Sequence, residues 1–162
     1  MPRLRYLALV MTFIVMLSSA KGLLAHCEVP CGIYADERRF ELMLEDQTTI
    51  AKAITQINEL AGKTDAQSVN QLVRWINTKE EHATNTQHII AQYFMTQRLK
   101  ADKKGYDKKL VAAHAVMVAA MKCKQSTTAD SAKALESSIK KFYEAYEGKK
   151  YGGDHGHSHS HK

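Results

Sequence analysis

The periodicity of a long amphipathic α-helix runs through residues 36–61, DERRFELMLEDQTTIAKAITQINELA. Apolar residues recur there mostly at intervals of three and four, the spacing of one helix face. Asp36 is a suitable N-cap, and Gly62 stands where a left-handed residue commonly ends a helix. The sequence therefore predicts one helix over this stretch. Its apolar face comprises Phe40, Met43, Leu44, Ile50, Ala51, Ile54, Ile57 and Leu60.

Three further helices are predicted downstream. The second begins near Thr64 or Asp65 and has a polar middle, 77–88, that is expected to be bent or exposed. The third follows the basic loop around Lys103, and the fourth covers 129–147. Four amphipathic helices with short connections predict an all-α, antiparallel four-helix bundle over 36–147. The apolar positions are Val69, Leu72, Val73, Ile76, Ile89, Ile90, Tyr93 and Phe94 in the second helix, Leu110, Val111, His114, Met117, Val118 and Met121 in the third, and Leu135, Ile139, Phe142, Tyr143 and Tyr146 in the fourth.

The composition excludes several classes of protein. The chain has 162 residues, of which 44% are hydrophobic and 25% charged, and this fits one globular domain. Eight glycines and two prolines are too few for the many turns of an all-β fold. The formal charge is +6, but residues 26–162 carry 20 basic and 17 acidic side chains, a charge of only +3. So small an excess, spread along helix faces, does not indicate nucleic-acid binding.

Residues 1–25 have the three parts of an export signal: a basic start, an apolar run over 7–17 and small residues after it. The run is too short for a permanent membrane anchor. Cleavage after Ala20 fits the small-x-small pattern better than cleavage after Ala25. Lipidation of Cys27 is disfavoured, because the residue before such a cysteine should be small and here it is His26. We therefore expect a cleaved leader and a secreted or periplasmic protein.

The segment 26–34, HCEVPCGIY, concentrates metal-binding groups. If cleavage leaves His26 first, the segment offers a terminal amine, an imidazole, the Cys27 amide nitrogen and the thiolates of Cys27 and Cys31. Fused chelate rings from adjacent residues favour a planar site, which suits Ni(II) or Cu(II) better than zinc. The alternative is a Cys27–Cys31 disulfide, which an exported protein permits. A disulfide leaves His26 and the chain start unexplained, so a metal-binding hook is favoured.

The motif His26-Cys27-x-x-Pro30-Cys31-Gly32-x-Tyr34 resembles the N-terminal hook of nickel superoxide dismutases, which precedes a four-helix bundle in that family. The resemblance implies that His26, Cys27 and Cys31 hold one nickel ion per mature chain. It also implies that Tyr34 stands over the open face of the metal.

In the family, a carboxylate on the first helix holds the axial imidazole, and we assign this role to Glu41. Glu37 and Glu45 are the next candidates. Tyr93 resembles a second tyrosine near the family's site. The family's supporting arginine has no clear counterpart here, and His82 is the nearest match.

The resemblance predicts a nickel-dependent enzyme that converts superoxide to dioxygen and hydrogen peroxide by Ni(II)/Ni(III) cycling. It also implies a hexamer and a processing protease. The alternative is a non-catalytic exported protein that binds or delivers metal through both the hook and the C-terminal tail. The mature N-terminus discriminates between them, because cleavage after Ala20 alone leaves no free amine on His26.

Outside the hook, packing explains most of the notable residues. Residues 148–162 lack an apolar face, so they predict a flexible tail. Its four alternating histidines, 155, 157, 159 and 161, favour either nickel capture or metal binding without a dedicated role. We expect His114 to be a packed core residue and Cys123 to be an inert helical thiol. Core packing is likewise expected for Tyr93, Phe94, Met43, Met117 and Met121.

Overall fold

The computed structural model describes residues 36–152, and every regular element in this range is helical. Helix α1 spans Glu37–Leu60 and α2 spans Ala66–His88. A π-helical segment, Ile89–Arg98, continues α2. Helix α3 spans Tyr106–Gln125 and α4 spans Ala129–Glu147. The predicted all-α fold with four helices is confirmed for these residues, whereas the predicted leader and hook lie outside them.

The helices pack antiparallel around one core. Helix α1 contacts α2 and α4, and α3 contacts the same two helices. Asp36, just before α1, meets Arg98 at the end of the π-helical segment and Tyr146 near the end of α4. We call this the Asp36 end of the bundle. At the opposite end, Asn58 of α1 donates to the carbonyl of Thr127 at 2.9 Å. The chain therefore enters α1 and leaves α4 at the same end.

The predicted apolar face of α1 is confirmed. Phe40, Met43 and Ile50 are fully buried in the core. Gly62 has φ of +81°, a conformation that ends the helix and that side chains with a Cβ rarely adopt. Asp36 stands at the N-cap position as predicted, but its carboxylate makes no capping bond. That carboxylate has other partners, which are described below.

The predicted second helix is buried as expected in its last part, at Ile89, Ile90, Tyr93 and Phe94, but not near its start. Val69, Val73 and Ile76, expected in the core, are 43%, 51% and 38% exposed. In the middle of the helix, Lys79, Ala83 and Thr86 are buried, so the expected exposure of 77–88 is wrong for this face. Polar residues can be buried in this way when partners on other helices satisfy their hydrogen bonds.

Lys79 is one of these buried polar residues, and two of its hydrogen-bond partners lie on α3. Lys79 is 3% exposed, and its ammonium group donates to the carbonyls of Cys123 at 2.8 Å and Lys124 at 2.6 Å. It also contacts Glu80 at 2.8 Å. The two carbonyls belong to the last turn of α3, where no intrahelical donors remain. Lys79 therefore caps α3 from the neighbouring helix, and its positive charge complements the helix dipole.

Helix α3 packs through small residues, and this overturns three predictions. Its buried face consists of Ala113, Val116, Ala119, Ala120 and Cys123. His114 is exposed and not packed, and Val111 and Met121 are 70% and 42% exposed. Leu110 and Met117 are partly buried and pack against the core, as predicted. Burial raises the pKa of the Cys123 thiol, and this agrees with the expected inert thiol.

The end of α4 continues into a short packed segment. Gly148 ends the helix with φ of +76°. Three residues later the ring of Tyr151 packs edge-on against Tyr143, with ring centroids 5.0 Å apart. The structure therefore ties the first residues of the predicted tail to the bundle, while the four histidines at 155, 157, 159 and 161 lie outside the described residues. Within residues 36–152, none of the helices combines the length and apolar character needed to cross a bilayer.

Candidate metal centre

The predicted nickel ligands His26, Cys27 and Cys31, and the predicted site residue Tyr34, lie outside the described residues. What the structure describes is the place where their segment joins the bundle. Ala35 alone separates Tyr34 from Asp36, the first described residue. The surroundings of Asp36 therefore lie directly after the predicted hook in the chain.

The carboxylate of Asp36 accepts hydrogen bonds from two other elements of the bundle. Arg98 donates through Nε at 3.0 Å and through Nη2 at 2.6 Å. Tyr146 donates its hydroxyl at 2.6 Å, and Tyr93 donates its hydroxyl to the other carboxylate oxygen. The side chain of Asp36 is only 8% exposed. Buried charge is tolerated here because each oxygen has a donor and one donor is an opposite charge.

The ionisation of this cluster follows from its geometry. Burial favours the neutral form of Asp36, but the hydrogen bonds from Tyr146, Tyr93 and Arg98 outweigh it and lower the pKa of Asp36. Burial and the neighbouring Asp36 charge raise the pKa of both tyrosines. The bond to Asp36 raises the pKa of Arg98. At neutral pH the cluster therefore combines one carboxylate, one guanidinium and two protonated phenols.

The π-helical segment brings two of these donors to Asp36. The Leu99 amide donates to the Phe94 carbonyl, five residues back, at 2.8 Å. In a regular α-helix, Tyr93 and Arg98 would point about 140° apart, because each residue turns the helix by about 100°. The wider turn places both side chains against one carboxylate. Such π-helical turns often occur at functional sites.

Aromatic rings pack against one another and against the tyrosines of this cluster. Phe40 packs against Phe94 and Phe142, with centroid distances of 4.9 and 5.2 Å. Tyr146 packs on Phe94 at 5.2 Å. The guanidinium of Arg39 lies 4.7 Å from the centre of the Tyr93 ring. Tyr93 and Tyr146 are thus held by packing as well as by Asp36, so their hydroxyl groups have fixed positions.

Glu41, predicted to hold the axial imidazole, lies on α1 at the Asp36 end. It is exposed and pairs with Arg38 at 2.9 Å. The next candidates are close to it: Glu37 accepts from the Tyr143 hydroxyl at 3.4 Å, and Glu45 is exposed. Glu41 is therefore available at the surface near the base of the hook, and its role stays a prediction.

A second buried carboxylate lies further along α1. Asp46 contacts Nδ1 of His82 at 2.7 Å and accepts from Asn85 at 2.8 Å and Thr86 at 3.3 Å. Burial raises the pKa of Asp46, although these hydrogen bonds oppose the shift. His82, the nearest match to the family's arginine, thus binds Asp46 on the side of α1 that faces α2. An open groove of about 400 Å³ beside it is lined by Glu81, His82, Thr84, Asn85 and His88.

Among residues 36–152, no three histidine, cysteine, aspartate or glutamate side chains are grouped so that they could hold a metal ion. The donor set predicted for the hook does fit nickel chemically. The two thiolates are soft ligands and a deprotonated amide nitrogen is a strong electron donor, and such sulfur and nitrogen donors together suit Ni(II).

A scan against protein families matches residues 21–150 to the nickel-containing superoxide dismutase model. The chain belongs to the nickel-containing superoxide dismutase family. Curated proteins and solved structures gave no match. As a member of this family the protein is an oxidoreductase, its cofactor is nickel and its substrate is superoxide. Family membership favours the enzyme over the alternative of a non-catalytic metal-delivery protein.

The hydrogen-bonded cluster around Asp36 in this superoxide dismutase was not predicted from the sequence. Asp36 is predicted only as a helix cap, and Arg98 and Tyr146 have no predicted role beyond the helices that carry them. The signal available was weak: an acidic residue two positions after Tyr34, and an arginine five positions after Tyr93. That spacing has meaning only in a π-helical turn, which the apolar pattern does not reveal.

Proposed function

We propose that the mature enzyme begins at His26 and holds one nickel ion in its hook. His26 would supply its terminal amine and its imidazole. Cys27 supplies its backbone nitrogen and thiolate, and Cys31 supplies the second thiolate. The observation that carries this proposal is that one family match, over 21–150, includes both the donor motif and the whole bundle.

The reaction converts two superoxide anions and two protons to one dioxygen and one hydrogen peroxide. Bound nickel supplies a one-electron couple between Ni(II) and Ni(III). Tyr34 limits access to small anions and orders the water through which protons arrive. Glu41 accepts a hydrogen bond from the ring nitrogen of His26 that faces away from the metal, which fixes the orientation of the imidazole.

Charge at the Asp36 end supports the approach of an anion. Lys100, Lys103 and Lys104, in the connection before α3, are all exposed, and Asp102 offsets one of these charges through its pair with Lys103 at 3.3 Å. Fields of this kind raise the local concentration of a charged substrate and accelerate its association. The same end of the bundle thus carries the start of the hook and a group of exposed cations.

We further propose that the enzyme is exported, that a protease exposes His26 and that the mature chains form a hexamer. The leader pattern of residues 1–25 supports export. Cleavage after Ala20 would need a second step that removes residues 21–25. The intact mass of the native protein tests this directly: a chain beginning at His26 supports the hook, and one beginning at Lys21 contradicts it.

Cysteine variants test the nickel site. Cys27→Ser and Cys31→Ser should each abolish both nickel binding and superoxide dismutation, because each removes a thiolate. Cys123→Ser is the matched control, since the Cys123 sulfur is buried 3.3 Å from the Ser131 carbonyl in α4 and a hydroxyl can keep that bond. It should retain one nickel per chain. A correctly processed wild-type chain that contains only zinc would exclude the proposal.

A further inference from the structure

Asp36 joins the predicted hook to the bundle, and its carboxylate is held by two separate elements. We propose that Asp36 is a positioning residue, which together with Arg98, Tyr93 and Tyr146 fixes the base of the hook. This inference rests on the proposed function, because it concerns the same nickel site. It assigns to the four side chains a role in holding nickel geometry without contact with the metal.

The first step is the direction of the restraint. Arg98 and Tyr93 approach from the π-helical segment, while Tyr146 approaches from α4. The backbone carbonyl of Asp36 accepts from the Arg39 amide at 2.9 Å and so begins α1. Asp36 is thus fixed by three elements at once, and neither its side chain nor its backbone can shift without breaking hydrogen bonds.

The second step is the short sequence separation between Asp36 and the predicted hook. Tyr34 precedes Asp36 by two positions and Cys31 precedes it by five. Because an extended chain rises by at most about 3.6 Å per residue, a fixed Asp36 limits the reach of these two positions, and it limits Tyr34 more than Cys31. Sites that perform chemistry need their groups held within about 0.5 Å.

Two other roles for the cluster fit the geometry less well. A helix cap would accept backbone amides of α1, but the Asp36 carboxylate makes no such bond. A proton relay needs a group that changes its charge readily near neutral pH. Here the carboxylate is bound by a guanidinium at 2.6 Å, and both phenols already donate to it. The arrangement is one of mutual restraint, which suits positioning.

The test compares Asp36→Asn and Arg98→Lys with Lys79→Met. Asp36→Asn keeps the size of the side chain and Arg98→Lys keeps its charge, but each weakens the hydrogen bonds of the cluster. Lys79→Met removes an equally buried polar contact from the cap of α3, away from the Asp36 end. Circular dichroism and urea unfolding identify conditions in which all variants are fully folded. Nickel alone is then titrated into each native, chelator-treated protein.

Asp36→Asn should weaken nickel binding by about 10–100-fold, the range seen when supporting partners of metal ligands are removed. Arg98→Lys should show a smaller loss, since it keeps the charge but not the paired donors. Lys79→Met should bind nickel as the wild type does. A second readout needs no metal: amide hydrogen exchange of the peptide around Tyr34 should accelerate in Asp36→Asn and not in Lys79→Met.

The outcomes separate this inference from the proposed function. If folded Asp36→Asn and Arg98→Lys match the wild type in both nickel affinity and exchange around Tyr34, the positioning role is wrong. If the wild type binds no nickel while Asp36→Asn still accelerates exchange, the nickel site fails but the restraint of the segment stands. If Lys79→Met loses nickel as Asp36→Asn does, the effect reflects general stability and the inference is rejected.

Discussion

The ammonium group of Lys79 lies 2.6 Å from the carbonyl oxygen of Lys124, 45 residues along the chain. This contact places a buried cation of α2 on the last turn of α3. It accounts for the burial of Lys79 within the polar middle of α2. The last carbonyls of a helix have no intrahelical donor, and here a side chain from the neighbouring helix supplies one.

Replacing Lys79 by Met should reduce the free energy of unfolding by about 1–3 kcal/mol, because two carbonyls of α3 lose their donor in a buried place. Urea unfolding measures the loss. Lys122→Met is the matched control, since Lys122 is exposed in the same last turn and should change stability by less than about 0.5 kcal/mol. If the two variants lose the same free energy of unfolding, Lys79 acts through its charge alone and not through its bonds to the α3 carbonyls.

Asp36 should make stability depend on pH with a defined sign. Its pKa is lowered in the folded protein, so the wild type should exceed Asp36→Asn in stability above the unfolded pKa of about 3.9. This advantage should disappear as the pH falls through the lower folded pKa. Urea unfolding of both proteins at several pH values between about 2 and 7 measures the difference.

Asp46 provides a control of opposite sign on the same helix. Burial raises its folded pKa, so the stability of the wild type relative to Asp46→Asn should decrease as the pH rises from about 3.9 through that folded value. The two variants should therefore change in opposite directions over the acidic range. Parallel curves would mean that the burial and hydrogen bonds described for one of the carboxylates are wrong.

Glu41→Gln should retain nickel but slow superoxide turnover by about tenfold or more, because the His26 imidazole would lose the carboxylate partner proposed for it. The exposed pair with Arg38 contributes little stability, so the variant should unfold as the wild type does. Turnover is measured by pulse radiolysis at matched nickel content. Glu45→Gln, one turn further along α1, is the control, and an effect there but not at Glu41 would transfer the role to Glu45.

Truncation should separate the packed start of the tail from its histidines. A chain ending at Gly152 keeps the Tyr151–Tyr143 contact and should be as stable as the full chain. A chain ending at Gly148 should lose about 0.5–1.5 kcal/mol of the free energy of unfolding.

Both truncated chains should reach full activity in ample nickel. At limiting nickel above about pH 6.5, where free imidazole is mostly neutral, both should activate more slowly. Activation equal to that of the full chain would leave the tail without a delivery role.

The sequence reveals the helices well, because their apolar spacing is local and repeats over many residues. Phe40, Ile50 and Ile139 are buried as that spacing predicts. It does not reveal partners that are distant in the chain. The burial of Lys79 depends on α3. Whether the Asp36 carboxylate caps its own helix or accepts bonds from other elements depends on side chains 57–110 residues away.

For the predicted hook, the sequence is more informative than the structure. Its predicted ligands His26, Cys27 and Cys31 fall within six consecutive positions of the sequence, in a motif whose chemistry can be recognised without any fold. The described residues add the base of that motif, which sequence reasoning did not find. Periodicity also missed the π-helical turn, since one additional residue in a turn changes the direction of Arg98 without changing which neighbours are apolar.

The bond between Asp36 and Tyr146 joins residues 110 positions apart, nearly the full length of the bundle. Because α4 is the last helix of the bundle, this contact forms only in a chain that contains all four helices. Closing so long a loop carries an entropic cost, and contacts this distant in sequence slow folding. The position of Asp36 at the start of α1 is therefore secured only when the last helix docks.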